Sequence, residues 1–282
     1  MVRPRFALVA ASTMVLAAAA STASLPAQAA PGIAFQVPVV VDPIHTNGEP
    51  DIGIDPQGRV FVSGPTGTGT QRSTWFGSVD KGHTFRVISP GPPPSAIAGL
   101  IDPPGGGDTD INFDRSAKQY FIDLYALTCN RTATTTDGGA TVNQSVYPAG
   151  CAGVPGADRP WLAVYDPAPG IPHQSAYLGP TPLIYAAYNN LVGPGPNGGT
   201  QWIMSIDGLN YVNATGDEVP PGTGAVYSPF GADGYPAIDQ VTGKVFQAAG
   251  CKTSNGCTSD GIYLNIGTPD ATGTLHFLDA TG

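Results

Sequence analysis

An opening motif that occurs four times constrains this chain more than any other feature of its sequence. Each copy has an acidic residue, a short apolar strand, a turn carrying Asp, Gly or Pro, and a second apolar strand. The copies begin at Glu49, Asp108, Asp158 and Asp233. Units of about 40 to 50 residues with four strands each are typical of β-propeller blades. A sandwich of hairpins is the alternative, but it does not require the same opening motif four times.

The amino-acid composition also predicts an all-β fold. The sequence has 38 Gly and 29 Pro, and no segment of useful length has a helical period. Short runs of Val, Ile, Tyr and Phe bounded by turn residues predict strands. We predict one propeller domain over residues 30–282, with four-stranded antiparallel blades starting near 48, 107, 157 and 232. The last unit leaves little sequence after it, which predicts a truncated six- or seven-bladed ring; a closed four- or five-bladed ring is the alternative.

The first 29 residues predict a secretory signal peptide. Arg3 and Arg5 supply positive charge, an apolar run covers Phe6 to Ala20, and Ala27-Gln28-Ala29 is a cleavage site. A membrane anchor is the alternative, and the run is short for it. The chain is therefore predicted to be secreted.

The net charge of the chain limits the classes of partner that it can bind. After removal of residues 1–29, 10 Lys and Arg face 21 Asp and Glu. An acidic surface disfavours nucleic acid and anionic membranes. We predict a monomer that binds an extracellular glycan or protein, and the acidity is also compatible with Ca²⁺.

Four cysteines in an exported chain predict disulfides. Cys251 and Cys257 enclose one hairpin, while Cys129 and Cys151 flank another. Local pairing is favoured among the three connectivities. A metal site is the weaker alternative because neither pair has C-x₂-C spacing.

A second motif predicts tightly tied hairpins. In Ser78-Val79-Asp80-Lys81-Gly82-His83-Thr84-Phe85, the Asp carboxylate can accept backbone N–H bonds while Gly takes a positive φ. Phe85 is expected to restart the strand with an inward side chain. A second copy spans Thr135 to Thr141, and a weaker candidate at 205–211 lacks Gly and Thr at the expected places. The structural residues predicted are Ser78, Asp80, Gly82, Thr84 and Phe85 in the first copy, and Thr135, Asp137, Gly139 and Thr141 in the second.

These motifs resemble the Asp-boxes of secreted bacterial sialidase-like (BNR-repeat) propellers. The resemblance implies that the Asp-box turns lie at the blade periphery and are structural. Sialidase activity in that superfamily requires an arginine triad, an Asp acid/base and a Tyr–Glu pair. Phe85-Arg86-Val87-Ile88 is the nearest match to the family's first arginine motif, and it lacks the Pro. No catalytic residue carries over by position.

The opening acids are the candidate site. If the first strand of each blade lines the channel, Glu49, Asp108, Asp158 and Asp233 converge at one mouth. Asp51 and Asp110 lie two residues further along their strands and share a face with the first acids. A bound cation such as Ca²⁺ or raised pKa values would relieve the repulsion between these carboxylates. The interpretation we favour is that the acids cap strand ends and bind backbone N–H groups of the next blade, as repeated acids in repeat proteins commonly do.

Two function classes follow. The preferred one is a glycan- or protein-binding propeller without catalysis, because no catalytic constellation is complete and fold alone does not establish function. The alternative is a glycoside hydrolase of exo-sialidase type, with Asp51, Asp108 and Asp110 as candidate catalytic acids. Ligand contacts are expected from Glu49, Asp158, Asp233 and Arg159; Arg159 either binds an anion or pairs with neighbouring acids.

Overall fold

The chain folds into β-sheets. The structure, a computed structural model, describes residues 35–44, 47–65, 73–88, 105–125, 129–145, 157–190, 199–214, 234–251, 253 and 259–277. Within these ranges there is no α-helix, and none of the described residues form a helix able to cross a membrane. Sixteen strands form four antiparallel sheets of four strands each. All of them belong to one unit, Val39–Gly282.

Each sheet consists of four strands that are consecutive in sequence, and we call the sheets blades 1 to 4. Blade 1 contains β1 (Asp51–Ile54), β2 (Val60–Pro65), β3 (Ser73–Ser78) and β4 (Arg86–Val87). Blade 2 contains β5 (Gly105–Phe113), β6 (Gln119–Tyr125), β7 (Cys129–Thr135) and β8 (Asn143–Gln144). Blade 3 contains β9 (Ala157–Tyr165), β10 (Leu183–Asn190), β11 (Gly199–Ser205) and β12 (Val212–Asn213). Blade 4 contains β13 (Ala237–Ile238), β14 (Val245–Cys251), β15 (Gly261–Pro269) and β16 (Leu275–Phe277).

Successive blades pack face to face through apolar side chains. Between blades 1 and 2, the rings of Trp75 and Phe121 stack with their centroids 4.3 Å apart. Tyr120 and Leu162 belong to the core between blades 2 and 3. Tyr185 of blade 3 and other residues of that sheet pack with residues of blade 4. The predicted all-β propeller of four-stranded antiparallel blades is therefore confirmed.

The turn between the last two strands of each blade is tied by an aspartate, and we call these four the Asp turns (centred on Asp80, Asp137, Asp207 and Asp270). Asp80 Oδ1 accepts the Thr84 N–H at 2.9 Å and the Ser78 hydroxyl at 2.7 Å. These hydroxyls, Ser78 first and then Thr84, lower the pKa of Asp80 below its ordinary value. In blade 2, Asp137 binds Thr141 N–H at 2.9 Å in the same way.

The weak third candidate forms the same turn. Asn210 takes the place of Thr, donating its backbone N–H to Asp207 Oδ1 at 2.8 Å and its amide to Oδ2 at 2.7 Å. A fourth turn is centred on Asp270. The sequence motif does not predict it, because its Gly stands three residues after the Asp rather than two. Asp270 Oδ1 accepts the Thr274 N–H at 3.0 Å.

Phe85 does not enter the core as the sequence predicts. It is half-buried, whereas Ile88 is 4% exposed and enters the core between blades 1 and 2. The reason is the strand register: Ile88 N–H bonds to the Trp75 carbonyl at 2.8 Å, and this fixes Ile88 against blade 2.

The outward faces of blades 1 and 4 differ from the inter-blade faces. On blade 1, Ile52 and Ile54 share a face and are 65% and 64% exposed. On blade 4, Ile262 and Leu264 are 84% and 49% exposed. The number of blades in the complete ring stays a prediction.

Several predicted features lie outside the described residues. They are the signal peptide at residues 1–29, the acid Asp233, and the cysteines Cys151 and Cys257. Cys129, the first residue of β7, is buried and is not a free thiol. The pairing of Cys129 with Cys151 and of Cys251 with Cys257 stays a prediction.

Candidate functional site

The first strands of the four blades meet at their N-terminal ends, and we call this region the mouth (Glu49, Asp51, Asp108, Asp110, Asp158, Arg159, Trp161 and Tyr235). Tyr235, two residues before β13, brings three blades together. Its hydroxyl donates to Asp51 Oδ1 of blade 1 at 3.2 Å. Its ring stacks on Trp161 of blade 3, with centroids 4.2 Å apart and planes 28° apart.

Three of the acids accept hydrogen bonds from the backbone of the next blade. Asp51 Oδ2 accepts the Ile111 N–H at 2.8 Å. Asp108 Oδ2 accepts the Arg159 N–H at 3.1 Å, and Asp110 Oδ2 accepts a backbone N–H of blade 3. These bonds connect blade 1 to blade 2 and blade 2 to blade 3, and they place the carboxyl groups around one centre.

Asp108 is a buried acid of the mouth with a strongly raised pKa. It is 4% exposed. Burial, a hydrogen bond with Glu49 and the charges of Glu49 and Asp158 raise its pKa to about 8, against the opposing effect of Arg159. Asp108 is therefore a neutral acid at pH 7, able to donate a hydrogen bond.

The backbone is strained on both sides of Asp108. Glu49 has a φ of 39° and Arg159 a φ of 49°, in the left-handed region that non-glycine residues seldom adopt. Such conformations cost about 1 to 3 kcal/mol each and cluster at functional sites. Here they place the two residues that contact the Asp108 carboxyl group.

Asp110 forms a second carboxyl pair, with Asp51. Burial and the Asp51 charge raise the pKa of Asp110 well above its ordinary value, although N–H bonds from Leu162 and Ile111 oppose the shift. Asp110 is 2% exposed, whereas Asp51 is half-buried. Of this pair, Asp51 is the acid that a ligand can reach.

The accessible part of the mouth combines charge with aromatic surface. Arg159 Nε lies 3.5 Å from Asp158 Oδ2, and both side chains are about one-third exposed. Tyr235 is 52% exposed, and Trp161 is half-buried beside it. The region therefore offers carboxylate acceptors, one paired guanidinium and an aromatic platform.

No metal site emerges from this geometry: within the described ranges, no three His, Cys, Asp or Glu side chains are arranged to hold an ion. Asp233, the fourth blade-start acid, lies outside those ranges. The Ca²⁺ prediction thus gains no support.

Sequence reasoning placed the acids but missed the aromatic platform. Neither Trp161 nor Tyr235 is among the residues that the sequence predicts for the site. The signal was present, because Trp161 and Tyr235 stand three and two residues after the blade-start acids Asp158 and Asp233. A repeat alignment that compared these positions would have brought the two rings to the same end of the channel.

The opposite ends of the inner strands surround a cavity of about 510 Å³. Ile54, Phe113 and Val164 are among its lining residues. Its polar groups connect blades: Arg115 pairs with Asp166 at 2.9 Å, and Gln240 Nε2 donates to the Val164 carbonyl at 2.8 Å. The polar residues at this end are therefore explained by their contacts between blades.

No protein-family model matches the sequence, and no curated protein matches it. Solved structures of similar fold include a glycosyl hydrolase from Bacteroides ovatus, with a TM-score of 0.48 and 13% identity over 83% of this chain and 70% of that chain. They also include an α-L-arabinanase from Penicillium chrysogenum, with a TM-score of 0.48 and 12% identity over 81% of this chain and 65% of that chain. Both are glycoside hydrolases, and neither gives evidence for the sialidase superfamily. Similarity at this level does not indicate the activity or substrate of this chain.

Proposed function

We propose that this protein is a secreted propeller whose mouth binds a glycan. The observation that carries the proposal is the Trp161–Tyr235 pair, a stacked platform in which Tyr235 is 52% exposed and contacts Asp51. An aromatic face offers apolar surface to the C–H groups of a sugar ring, and adjacent carboxylates accept hydrogen bonds from its hydroxyls. The location outside the cell rests on the predicted signal peptide.

Substitutions of Tyr235 test the proposal. The Tyr235→Ala variant is expected to weaken glycan binding by about ten-fold or more, because the platform loses its exposed ring. Tyr235→Phe keeps the ring and is expected to bind within about three-fold of the wild type. Calorimetric titration with an oligosaccharide identified on a glycan array measures both.

The matched control is Leu178→Ala, which removes a 79% exposed apolar side chain from the loop between β9 and β10. It is expected to leave the affinity unchanged. Wild-type affinity in Tyr235→Ala would refute the proposed site.

Glycoside hydrolysis is the second candidate, and Asp108 is the observation that favours it. A protonated acid near ionised carboxylates is the minimum equipment of a glycosidase. The sialidase-like form is less favoured, because the sole arginine among the described mouth residues, Arg159, is paired with Asp158. Release of 4-methylumbelliferone from neutral glycosides and from the sialoside distinguishes the two candidates. Turnover that Asp108→Asn abolishes without unfolding the protein would establish hydrolysis and overturn a function limited to binding.

A further inference from the structure

We propose that the mouth selects glycans built from amino sugars, binding their protonated amines through Asp158 and Glu49 in preference to N-acetylated or anionic sugars. The inference rests on the proposed glycan-binding function and adds the class of ligand.

The charges at the mouth oppose an anionic ligand. Asp51 contacts Tyr235 of the platform, and Glu49 and Asp158 lie near Asp108. Arg159 is the only cation among the described mouth residues. Its guanidinium is already 3.5 Å from Asp158. A sialic or uronic acid would face repulsion without a free cationic partner, and like charges brought together at an interface are unfavourable. An ammonium group would instead gain a charge-assisted hydrogen bond.

An independent observation comes from Asn189 in β10. Asn189 lies opposite Asp158 in the β9–β10 ladder, so the two side chains are on the same face of blade 3. It is 3% exposed, and its Nδ2 has no hydrogen-bond acceptor. A buried donor without an acceptor is unfavourable, which points to an oxygen supplied by a ligand or a bound water.

Together, the two side chains match an amino sugar. Asp158 supplies an acceptor for an amine, and Asn189 supplies a donor for a neighbouring hydroxyl oxygen. A 2-amino-2-deoxy sugar carries these two groups on adjacent carbons. N-acetylation removes the positive charge of the amine, so the sugar loses its charge-assisted contact with Asp158.

The crowding of carboxyl groups is consistent with this assignment. Asp108 keeps its proton at neutral pH because it is buried beside Glu49 and Asp158. Three further acids, Glu49, Asp51 and Asp158, stand against the single cation Arg159 among the described mouth residues, and a ligand amine would partner this excess of acids.

Calorimetric titration of the whole protein with three hexasaccharides tests the inference. The probes are the glucosamine, N-acetylglucosamine and galacturonate hexamers, at mildly acidic pH and at low and high salt. We expect the glucosamine hexamer to bind about ten-fold more tightly than its N-acetylated match. The galacturonate hexamer should not bind, and high salt should reduce the preference.

Substitutions at the mouth test whether the preference for the glucosamine hexamer arises there. Asp158→Asn is expected to lower it to about three-fold or less, and Glu49→Gln provides a second variant at an exposed position. Asp239→Asn makes the same charge change at the other end of the inner strands and is expected to keep the full preference. A thermal melt of each variant verifies folding.

The outcomes separate the two proposals. If N-acetylated and amino hexamers bind equally, and both depend on Tyr235, the charge inference fails while glycan binding stands. If amino-sugar binding persists in Tyr235→Ala and Asp158→Asn, the ligand binds elsewhere on the acidic surface and both proposals fail.

Discussion

At the scale of single residues, the raised pKa of Asp108 affects both the stability of the fold and the protonation of the mouth. Its carboxyl group lies between Glu49 and Arg159, the two mouth residues with left-handed backbone, and it bonds to the Arg159 N–H. A neutral acid held in a strained, buried position is expensive for the fold.

The raised pKa of Asp108 predicts how stability depends on pH. The folded state holds this proton up to about pH 8, whereas the unfolded chain releases it near the ordinary value of 3.8. The free energy of unfolding contributed by this group is therefore greatest below pH 3.8 and is lost as the pH rises to about 8. Asp110 and Asp123, whose pKa values burial also raises, act in the same direction.

Asp108→Asn isolates the contribution of Asp108. The variant cannot ionise at this position, so its stability should fall less steeply between pH 4 and 8 than that of the wild type, whose other acids are unchanged. Urea denaturation across this pH range measures the difference. Parallel curves for the two proteins would contradict the assignment of the raised pKa to Asp108.

At the scale of elements, the Asp turns show what local chemistry determines. Carboxylate-to-backbone bonds form whether Thr or Asn follows, as the Asp207 turn shows. The sequence therefore predicted the first two turns from local pattern alone. The displaced Gly273 concealed the turn at Asp270, whose Thr272 and Thr274 N–H bonds nevertheless form.

Glycine substitutions separate turn conformation from blade packing. Gly58 and Gly208 have similar φ angles, 78° and 77°. A Cβ at Gly58 meets open space, whereas one at Gly208 would lie 2.3 Å from Tyr120 Cδ1 of blade 2. Gly58→Ala is expected to lose about 1 kcal/mol of stability, and Gly208→Ala about 2 kcal/mol more because it overpacks the core between blades. Equal losses in urea denaturation would show that the contact between the turn and blade 2 is unimportant.

At the scale of the whole molecule, stability comes from the contacts between blades. Ile122 is fully buried between blades 2 and 3, whereas Ile262 is 84% exposed on the outward face of blade 4. Ile122→Ala is expected to lose about 2 to 5 kcal/mol of stability, and Ile262→Ala less than about 0.5 kcal/mol. Thermal denaturation compares the pair, and a comparable loss at Ile262 would mean that its face is covered in solution.

More of the fold than of the candidate site could be predicted from the sequence. Alternating apolar residues and turn chemistry are local signals, so the four-stranded units and the convergence of Asp51, Asp108 and Asp110 followed from the repeat. The Trp161–Tyr235 stack joins residues of different blades, and Asn189 lies behind Asp158 only because β10 pairs with β9. These contacts depend on how the sheets are placed, which local pattern does not encode.

A crystal structure of the protein soaked with the glucosamine hexamer tests glycan binding at the mouth directly. We predict sugar density stacked on Tyr235 beside Trp161, with an amine in contact with the Asp158 carboxylate. Clear density for the hexamer at another surface, with the mouth unchanged, would contradict binding at the mouth.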